Sequence, residues 1–406
     1  MNKERIRTSL ESAIAAMPST DAQRQLFPFL LSEAINGGSL ADQRIVALIN
    51  VLRTEPELNV FDGRMMQMLP DGAGLLEYHR LAIWLMEQAS STNIDQALDD
   101  LETYLSATVL PFQVTVALSG IRAAGTFEIG RGISFVPWDA LQDSKQKKWV
   151  WERCMTGMHL PTGALVRDFS ITKLHVHQDE YEIQRDMNIN RYMTLVDKTE
   201  IYDALMCMGL VGPFTHQGVA SWISPPRWMP LNHGGTFFSD IDGSYSSQSF
   251  PEDARAVASS LFEAFCALPV ELQARLRLAM QRLNRAMRCG IPVEAADAAI
   301  DLGIALEVLY LGGTGSEGRE ELTFRLRIRA ARFLGADEAD KKRLFILVGD
   351  LYRLRSKAVH EGKLAPDKPG GRSTKEMLSE GYSIAAKTIR RFITDQEPNW
   401  DNVMFD

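Results

Sequence analysis

The sequence predicts a multidomain α+β protein with a helical N-terminal region (residues 1–108), a mixed α/β region (109–250) and an all-α helical bundle (251–406). The 406 residues exceed the usual size of a single domain. Apolar residues recur at three- and four-residue spacing at both ends of the chain, which indicates amphipathic helices. The middle carries short alternating runs rich in β-branched residues and separated by glycines, which favour strands.

The composition excludes several classes of protein. A hydrophobic share of 45% and a charged share of 24% are typical of globular chains, so a mainly disordered chain is excluded. No run reaches the ~18 apolar residues of a membrane-spanning helix. The N-terminus also lacks the apolar segment of a secretory signal. We therefore expect a cytoplasmic protein without a membrane partner.

Cysteine usage and charge narrow the possible ligands. The cysteines form no C-x-x-C pair, so we expect reduced thiols rather than disulfides or a zinc site at Cys154, Cys207, Cys266 and Cys289. The net charge of −8 argues against broad non-specific binding of nucleic acid. The charge is uneven, at about +1 for residues 251–406 and about −9 for residues 1–250. The C-terminal part could therefore accept an anionic ligand, and we expect neither a metal nor another cofactor.

Helical patterns fill the N-terminal region. The predicted helices are Ser9–Ala16, Gln23–Ala34, Leu40–Arg53, Leu75–Ala89 and Ile94–Leu105. Glycines at Gly37, Gly38 and Gly72 separate some of them.

The pattern changes to alternation at Pro111. The predicted strands are Phe112–Leu118, Thr126–Ile129, Gly132–Val136, Ala164–Val166 and Ile171–His177. A helix is predicted at Lys198–Met208, and the irregular segment 224–248 suits a linker or a binding loop.

Six helices with short connections are predicted from residue 249 to the end, which favours an antiparallel bundle. The fourth helix covers about Arg319–Leu334 and the fifth ends at Gly362. Capping residues or prolines mark where five of the helices begin. In chain order, these signals are Ser249 with Glu252 for the first helix, Pro269 for the second, Pro292 for the third, Asp337 for the fifth, and Ser373 with Glu376 for the sixth.

The end of the fifth helix carries the residues best suited to chemistry. Arg355 flanks the apolar stripe of the helix, and His360 lies in its last turn, one and a half turns further on. Histidine has an ordinary pKa near 6.5 and can transfer protons at neutral pH. Arginine stays charged, and its fork of donors matches phosphate oxygens. A cationic donor and an imidazole therefore lie together near the exposed end of an otherwise buried helix.

This part of the chain resembles the HEPN superfamily, in particular its Apea-like branch, over about residues 270–395. The resemblance consists of the helix with Ala305–Leu309, a glycine-rich gap, an arginine-rich helix, and the run Leu351-Tyr352-x-x-Arg355-Ser356-Lys357-x-x-His360. The family signature is an arginine followed, after four to six residues, by a histidine. It implies a helical bundle that usually dimerises and brings two motifs into one cleft. Many members are metal-independent ribonucleases of bacterial toxin or phage-defence systems.

The resemblance implies a metal-independent endoribonuclease that cleaves RNA by attack of the ribose 2′-hydroxyl. His360 would be the acid/base, Arg355 the phosphate contact and Ser356 a further hydrogen-bonding group. Catalytic members often carry Asn, Asp or His at the Ser356 position. The supporting residues would be Glu307, Lys357 and Tyr352. The expected partners are RNA, a second copy of the chain, and a phage or host trigger at the N-terminal region.

A second interpretation of the same residues stays open. Arg355 could pair locally with Glu307 or Glu361, and His360 could be a cation that complements the dipole at the end of the helix. The bundle would then be a non-catalytic HEPN-like dimer that binds RNA, a nucleotide or a partner protein.

Four other features have an ordinary and a functional interpretation. His175 and His177 share a strand face, with Asp179 and Glu180 close behind, and are either surface residues or the start of a metal site. The glycine-rich segment 312–318 is a flexible connection or borders a phosphate site.

The last two features are groups of similar residues. An aromatic stretch is core or a recognition surface, and contains Trp222, Trp228, Phe237, Phe238 and Tyr245. Arginines of the fourth helix form a solvated face, or they contact RNA or make salt bridges across a dimer, and they are Arg319, Arg325, Arg327, Arg329 and Arg332. Lys341, Lys342, Arg343 and Arg353 would add attraction for an RNA backbone.

Overall fold

The computed structural model contains both helices and β-sheets, which confirms the mixed composition predicted from the sequence. It describes residues 1–15, 43–70, 72–156, 160–181, 198–212, 214–231, 236–238, 247–288, 295–312, 319–364 and 372–405. The predicted helix Gln23–Ala34, the stop at Gly37 and Gly38 and the opening proline Pro292 lie outside these residues.

Helices dominate both ends of the chain, and most of the strands lie between them. The N-terminal elements are α1 Lys3–Ile14, α2 Gln43–Arg53, β1 Asp62–Leu69, β2 Gly72–Glu77, α3 Tyr78–Ser91 and α4 Ile94–Ser106. The middle ones are β3 Val109–Ser119, β4 Ile121–Arg122, β5 Phe127–Gly130, β6 Ile133–Pro137, α5 Lys145–Thr156, β7 Gly163–Thr172, β8 His175–His177, α6 Thr199–Val211, β9 Gln217–Ser224, β10 Thr236–Phe238 and β11 Gln248–Ser249. The C-terminal ones are α7 Ala254–Cys266, α8 Val270–Arg288, α9 Ala295–Leu311, α10 Arg319–Leu334, α11 Glu338–Glu361, α12 Thr374–Asp395 and α13 Trp400–Phe405. Within the described residues there are also two short 3₁₀ helices, Pro56–Phe61 and Trp138–Ala140.

The chain forms two compact units, and each contains several segments. One comprises Met1–Val114, Asp168–Asp197 and Trp222–Thr236. The other comprises Thr115–Arg167, Lys198–Ser221 and Phe237–Asp406. The sequence predicts one continuous range for each domain, whereas the compact units are discontinuous.

Residues 62–77 form a β-hairpin, so the prediction that residues 1–108 are helical is wrong there. β1 pairs antiparallel with β2 and, on its other edge, with β8, where Met66 lies opposite Val176. Adjacent apolar residues such as Met68 and Leu69 suit a strand or a helix equally well. The distant partner β8 decides between them, and a local pattern contains no information about that pairing.

Four of the predicted strands of the middle region lie in a six-stranded sheet of order β10-β9-β3-β7-β6-β5. The fifth, Ile171–His177, is wrong as a single strand, because Ile171 and Thr172 end β7 whereas β8 belongs to a three-stranded sheet of order β2-β1-β8. β5, β6 and β7 form an antiparallel meander in which Phe135 lies opposite both Phe127 and Leu165. The sequence patterns do not predict α5 or β9. The pattern of α5 is weak because only Val150 and Cys154 of its described side chains are fully buried.

The C-terminal helices follow the predicted bounds closely, and most of the capping signals are correct. The Asp337 side chain accepts a hydrogen bond from the Asp340 N–H and begins α11. Ser373 and Glu376 form both hydrogen bonds of a capping box at α12. The predicted capping box at Ser249 is wrong because Ser249 pairs in β11, and α7 begins only at Ala254. Among the described residues, none of the helices combines the length and apolar character that crossing a membrane requires.

Candidate functional site

The long helix α11 positions the predicted site residues. Its buried side is formed by Leu344, Leu347, Val348, Gly349, Leu351 and Ala358. Gly362 ends the helix in the left-handed conformation, with φ of 66°, and its N–H donates to the Ala358 carbonyl at 3.0 Å. The packed stripe fixes how the helix is rotated about its axis, and the glycine fixes where it ends. The last turns of α11 therefore have a defined orientation.

Arg355 lies half-buried against α9. Its Nη2 atom is 3.5 Å from Oε1 of Glu307, and the two side chains are 26% and 27% exposed. The guanidinium carbon lies 5.8 Å from the centre of the Tyr352 ring, within the range of a cation–π contact. The pairing with Glu307 rather than Glu361 is one of the two local pairings considered from the sequence.

Gly303 makes this packing possible, although it was not among the predicted site residues. A Cβ atom at Gly303 would lie 2.4 Å from Cγ and 2.9 Å from Cβ of Arg355. The aliphatic stem of Arg355 therefore crosses α9 where the glycine leaves room. Gly303 lies one turn before Glu307 on the same helix, which brings the guanidinium to the carboxylate. A glycine inside a strongly helical run was the available signal.

Tyr352 completes a cluster with Arg355 and Glu307. Burial raises the pKa of the Tyr352 hydroxyl, and the neighbouring Glu307 carboxylate, which accepts its hydrogen bond, raises that pKa further. The hydroxyl consequently stays protonated at neutral pH and acts as a donor. Two of the three predicted supporting residues therefore contact each other and contact Arg355.

His360 lies apart from this cluster, exposed in the last turn of α11. Five residues along an α-helix correspond to a rotation of about 140° and a rise of about 7.5 Å. Arg355 and His360 therefore leave α11 on different sides. Ser356, four residues before His360, is half-buried and shares its side of the helix, as does exposed Lys357. The predicted site thus consists of two groups, Arg355–Glu307–Tyr352 and His360–Ser356–Lys357.

Most of the basic residues expected to attract RNA along α11 pair with acids of the same helix. Lys341 binds Glu338 at 2.8 Å, and Arg343 binds Asp340 at 2.9 Å. Arg353 pairs with Asp350 in the same way. These ion pairs reduce the positive potential that the sequence pattern indicates.

Two arginines of α10 do not belong to a solvated face, so that expectation is wrong for half-buried Arg327 and for buried Arg329. Arg329 is 5% exposed and donates to the Tyr310 carbonyl at 2.7 Å. Arg327 donates to the Phe345 carbonyl at 3.0 Å and lies 3.8 Å from the centre of its ring. A backbone carbonyl of a neighbouring helix therefore accepts a hydrogen bond from each of these two guanidinium groups.

His175 and His177 have different surroundings within β8. The Tyr104 hydroxyl lies 3.2 Å from Nε2 of His175, and burial, followed by the nearby Lys173, lowers the His175 pKa to about 4. His177 is 41% exposed and lies 3.5 Å from Asp179. The expectation of two surface residues is therefore wrong for His175. Over the described ranges, no group of three or more His, Cys, Asp or Glu residues has the arrangement of a metal site.

The remaining candidates have ordinary surroundings or lie outside the described residues. Trp222 is buried, as expected for a core residue, and Trp228 is half-buried. Phe237 is exposed beside Lys198, whose Nζ lies 4.7 Å from the ring centre. Tyr245 and the glycine-rich segment beyond Gly312 lie outside the described residues.

Comparison of the chain with protein-family models, with curated proteins and with solved structures gave no match. The resemblance to the HEPN superfamily remains a prediction from residues 270–395.

Proposed function

We propose that the C-terminal bundle is a metal-independent endoribonuclease of the HEPN type, as part of a bacterial phage-defence or toxin system. The observation that carries the proposal is the end of α11. There an arginine is held half-buried by α9 and a histidine is exposed in the final turn.

The proposed reaction needs three contributions. A base removes the proton of the ribose 2′-hydroxyl, whose oxygen attacks phosphorus, and an acid protonates the departing 5′-oxygen. His360 performs proton transfer, because an exposed imidazole can reach the substrate. Arg355 balances the negative charge that develops on the phosphate oxygens. The products are a 2′,3′-cyclic phosphate and a 5′-hydroxyl.

The separation of the two residues around α11 implies how such a site would be completed. Side chains about 140° apart on one helix do not converge on one phosphate from the same side. We propose that a second copy of the chain supplies the opposing motif, so that Arg355 of one protomer and His360 of the other face the same RNA. Residues 1–250 would receive the phage or host trigger.

One observation favours the second interpretation, a non-catalytic dimer that binds RNA, a nucleotide or a protein. Glu307 already neutralises part of the charge of Arg355 and fixes its direction. An arginine held in this way contributes to packing between α9 and α11 whether or not a substrate binds. The two interpretations therefore differ in what happens when His360 is removed.

The deciding experiment is cleavage of RNA by the purified full chain in the presence of EDTA, with mapping of the RNA ends. We expect cyclic-phosphate ends with the wild type and a loss of about 10²–10⁴-fold for His360→Ala, the usual contribution of an acid–base group. Arg355→Ala should also lose cleavage. Matched controls are Arg353→Ala, an exposed arginine of the same helix, and His177→Ala, an exposed histidine elsewhere. Equal cleavage by wild type and His360→Ala would exclude the proposed mechanism.

A further inference from the structure

Segment 396–405 follows α12 and is fastened to the C-terminal helices by a buried tryptophan. Trp400 is only 9% exposed, although it begins the short helix α13. The guanidinium carbon of Arg329 lies 4.9 Å from the centre of its ring. Three aromatic rings surround it at 5.9, 5.8 and 6.1 Å between ring centres, and they belong to Tyr310, Phe333 and Phe392. These residues lie on α9, α10 and α12, so three helices form a cage around the indole ring.

An ion pair fastens the same segment three residues earlier. Oε2 of Glu397 lies 2.7 Å from Nη2 of Arg275, which is on α8. The guanidinium carbon of Arg275 lies 5.7 Å from the centre of the Phe392 ring, so the ion pair and the cage are adjacent. Arg275 and the cage together form one groove, the segment groove. It holds a carboxylate and an indole ring that are three residues apart in the sequence.

The backbone of Gln396, which joins α12 to the segment, is strained. Its φ of 64° and ψ of 177° lie in a region that is populated almost only by glycine. A residue with a Cβ atom keeps such a conformation only where its surroundings impose it. Here the contacts of Glu397 and Trp400 impose it, because they fix the direction in which the chain leaves α12. A path from α12 to a more distant groove would release this strain.

The surroundings of Gln396 leave room for another path. A cavity of about 330 Å³ lies beside it, lined also by Glu397 and by four residues at the start of α8 or next to it, which are Pro269, Glu271, Leu272 and Arg275. Helix α13 is capped within the segment, since the side chain of Asn399 accepts a hydrogen bond from the Asn402 N–H at 3.3 Å. The segment can therefore change direction at Gln396 without losing its own helix.

We propose that two copies of the chain exchange segment 396–405, so that Trp400 and Glu397 of each copy occupy the segment groove of the other. The contacts are the same before and after the exchange, because both grooves and both segments have the same sequence. The arrangements differ at Gln396, which can adopt an extended conformation once the segment leads to the other copy. Exchange of an identical element is a low-cost route to a dimer, and a short hinge under strain favours it. The partner is a second copy of the chain because the groove fits this sequence.

The test combines two full-length variants of opposite charge. Arg275→Glu turns the ion pair into two carboxylates, and Glu397→Arg turns it into two guanidinium groups. Each variant alone therefore has like charges at this pair, whether its segment is exchanged or not. When the two variants are co-expressed with different affinity tags, exchange between them pairs opposite charges at both crossed positions. We expect this mixed pair to co-purify as well as wild-type copies do, and two copies of one variant to co-purify roughly tenfold less.

A second variant tests the hinge without changing the groove. Gln396→Gly removes the strain and keeps the side chains of Glu397 and Trp400. It should lower the dimer affinity measured by analytical ultracentrifugation by roughly 30-fold or more, because two relaxed hinges no longer favour exchange. This variant keeps the inference testable if the charge variants do not fold. The control is Lys342→Glu, a charge reversal at an exposed lysine of α11, which should leave co-purification unchanged.

The outcomes separate the exchange from the proposed nuclease, on which it does not rest. Equal co-purification in every pairing would show that any dimer forms through another surface, and would overturn the inference. So would a wild type that stays monomeric at all concentrations, or a Gln396→Gly variant that dimerises as tightly as the wild type. Exchange in a chain that cleaves no RNA would support the inference and reject the nuclease. Cleavage by a chain in which the charge variants detect no exchange would do the opposite.

Discussion

Two sides of one helix end, the Arg355 side and the His360 side, have opposite surroundings. Arg355 is fixed by Gly303, Glu307 and Tyr352 of its own chain, whereas His360 is exposed beyond the last packed turn. The fold therefore determines the position of the arginine and leaves the histidine to solvent. The spacing of an Arg-x4-His motif alone does not distinguish a catalytic pair from one packed residue and one surface residue.

The difference also shows what a substrate would have to supply. A phosphate that approaches Arg355 competes with Glu307 for the guanidinium. The attraction between Arg355 and Glu307 is modest, because both side chains are partly exposed. His360 can transfer a proton only when an RNA strand, alone or held by a second protomer, lies beside it. Substitutions that alter the burial or packing of a residue, measured by their effect on stability rather than on cleavage, can therefore test this contrast between Arg355 and His360.

The largest expected effect contrasts exposed His360 with a histidine of the same unit that is fully enclosed. Burial lowers the pKa of His216 to about 4, outweighing the hydrogen bond to the Phe214 carbonyl, and Arg288 lowers the pKa further. As the pH falls, His216 is protonated in the unfolded chain before it is protonated in the folded one. The free energy of unfolding therefore decreases as pH falls from about 6.5 to about 4. The loss from this one group is about 3 kcal/mol.

Urea unfolding followed by circular dichroism at several pH values measures this loss. His216→Gln should flatten the acid slope of unfolding free energy against pH. His360→Gln, the same substitution at an exposed position, is the matched control. An acid slope that His216→Gln does not alter would mean that other groups cause it.

The second effect tests whether Arg355 is fixed by close packing. Gly303→Ala would place a Cβ atom 2.4 Å from Cγ of Arg355, near the root of the side chain, where little movement is possible. Overpacking of this kind costs about 1–3 kcal/mol, partly offset by the roughly 1 kcal/mol higher helix propensity of alanine. In an Arg355→Ala background the clash disappears, and the same substitution should become neutral or stabilising.

The double-mutant cycle of Gly303→Ala and Arg355→Ala measures the coupling between the two positions. Thermal unfolding gives all four stabilities under one condition. Gly381→Ala is a useful reference, since its Cβ would meet Leu302 and Leu351 instead of Arg355. A Gly303→Ala cost that is the same with and without Arg355 would show that the arginine stem does not cross this glycine.

The sequence predicted the helices of the bundle better than it predicted the contacts between residues. Caps at Asp337, Gly362 and Ser373 are local signals, and the structure confirms them. The hairpin at residues 62–77 depends on pairing with β8, about a hundred residues later, which a local pattern does not encode. The arginine spacing in α10 likewise gave no indication that Arg327 and Arg329 donate to carbonyls of neighbouring helices.

The candidate site follows the same rule. Periodicity correctly placed Arg355 beside the apolar stripe and His360 in the last turn of α11. The role of Gly303 could not be predicted from the sequence, because it depends on which helix packs against α11 and at which residues the two helices cross. Pairing of Arg355 with Glu307 was one of two open possibilities, beside Glu361, until that crossing was known. A helix can thus be predicted from the sequence of its own segment, whereas this site depends on how two helices, α9 and α11, pack against each other.

The smallest effect compares the two motif residues directly. Arg355→Ala removes the stem that packs on Gly303 and leaves Glu307 without its cation, so we expect a loss of about 1–2 kcal/mol. His360→Ala removes an exposed side chain and should change stability by less than about 0.5 kcal/mol. Urea unfolding of both variants beside Arg353→Ala provides the measurement. If His360→Ala destabilises the chain as much as Arg355→Ala, the histidine has a packed partner in the folded protein, and any loss of cleavage in that variant would reflect unfolding rather than missing proton transfer.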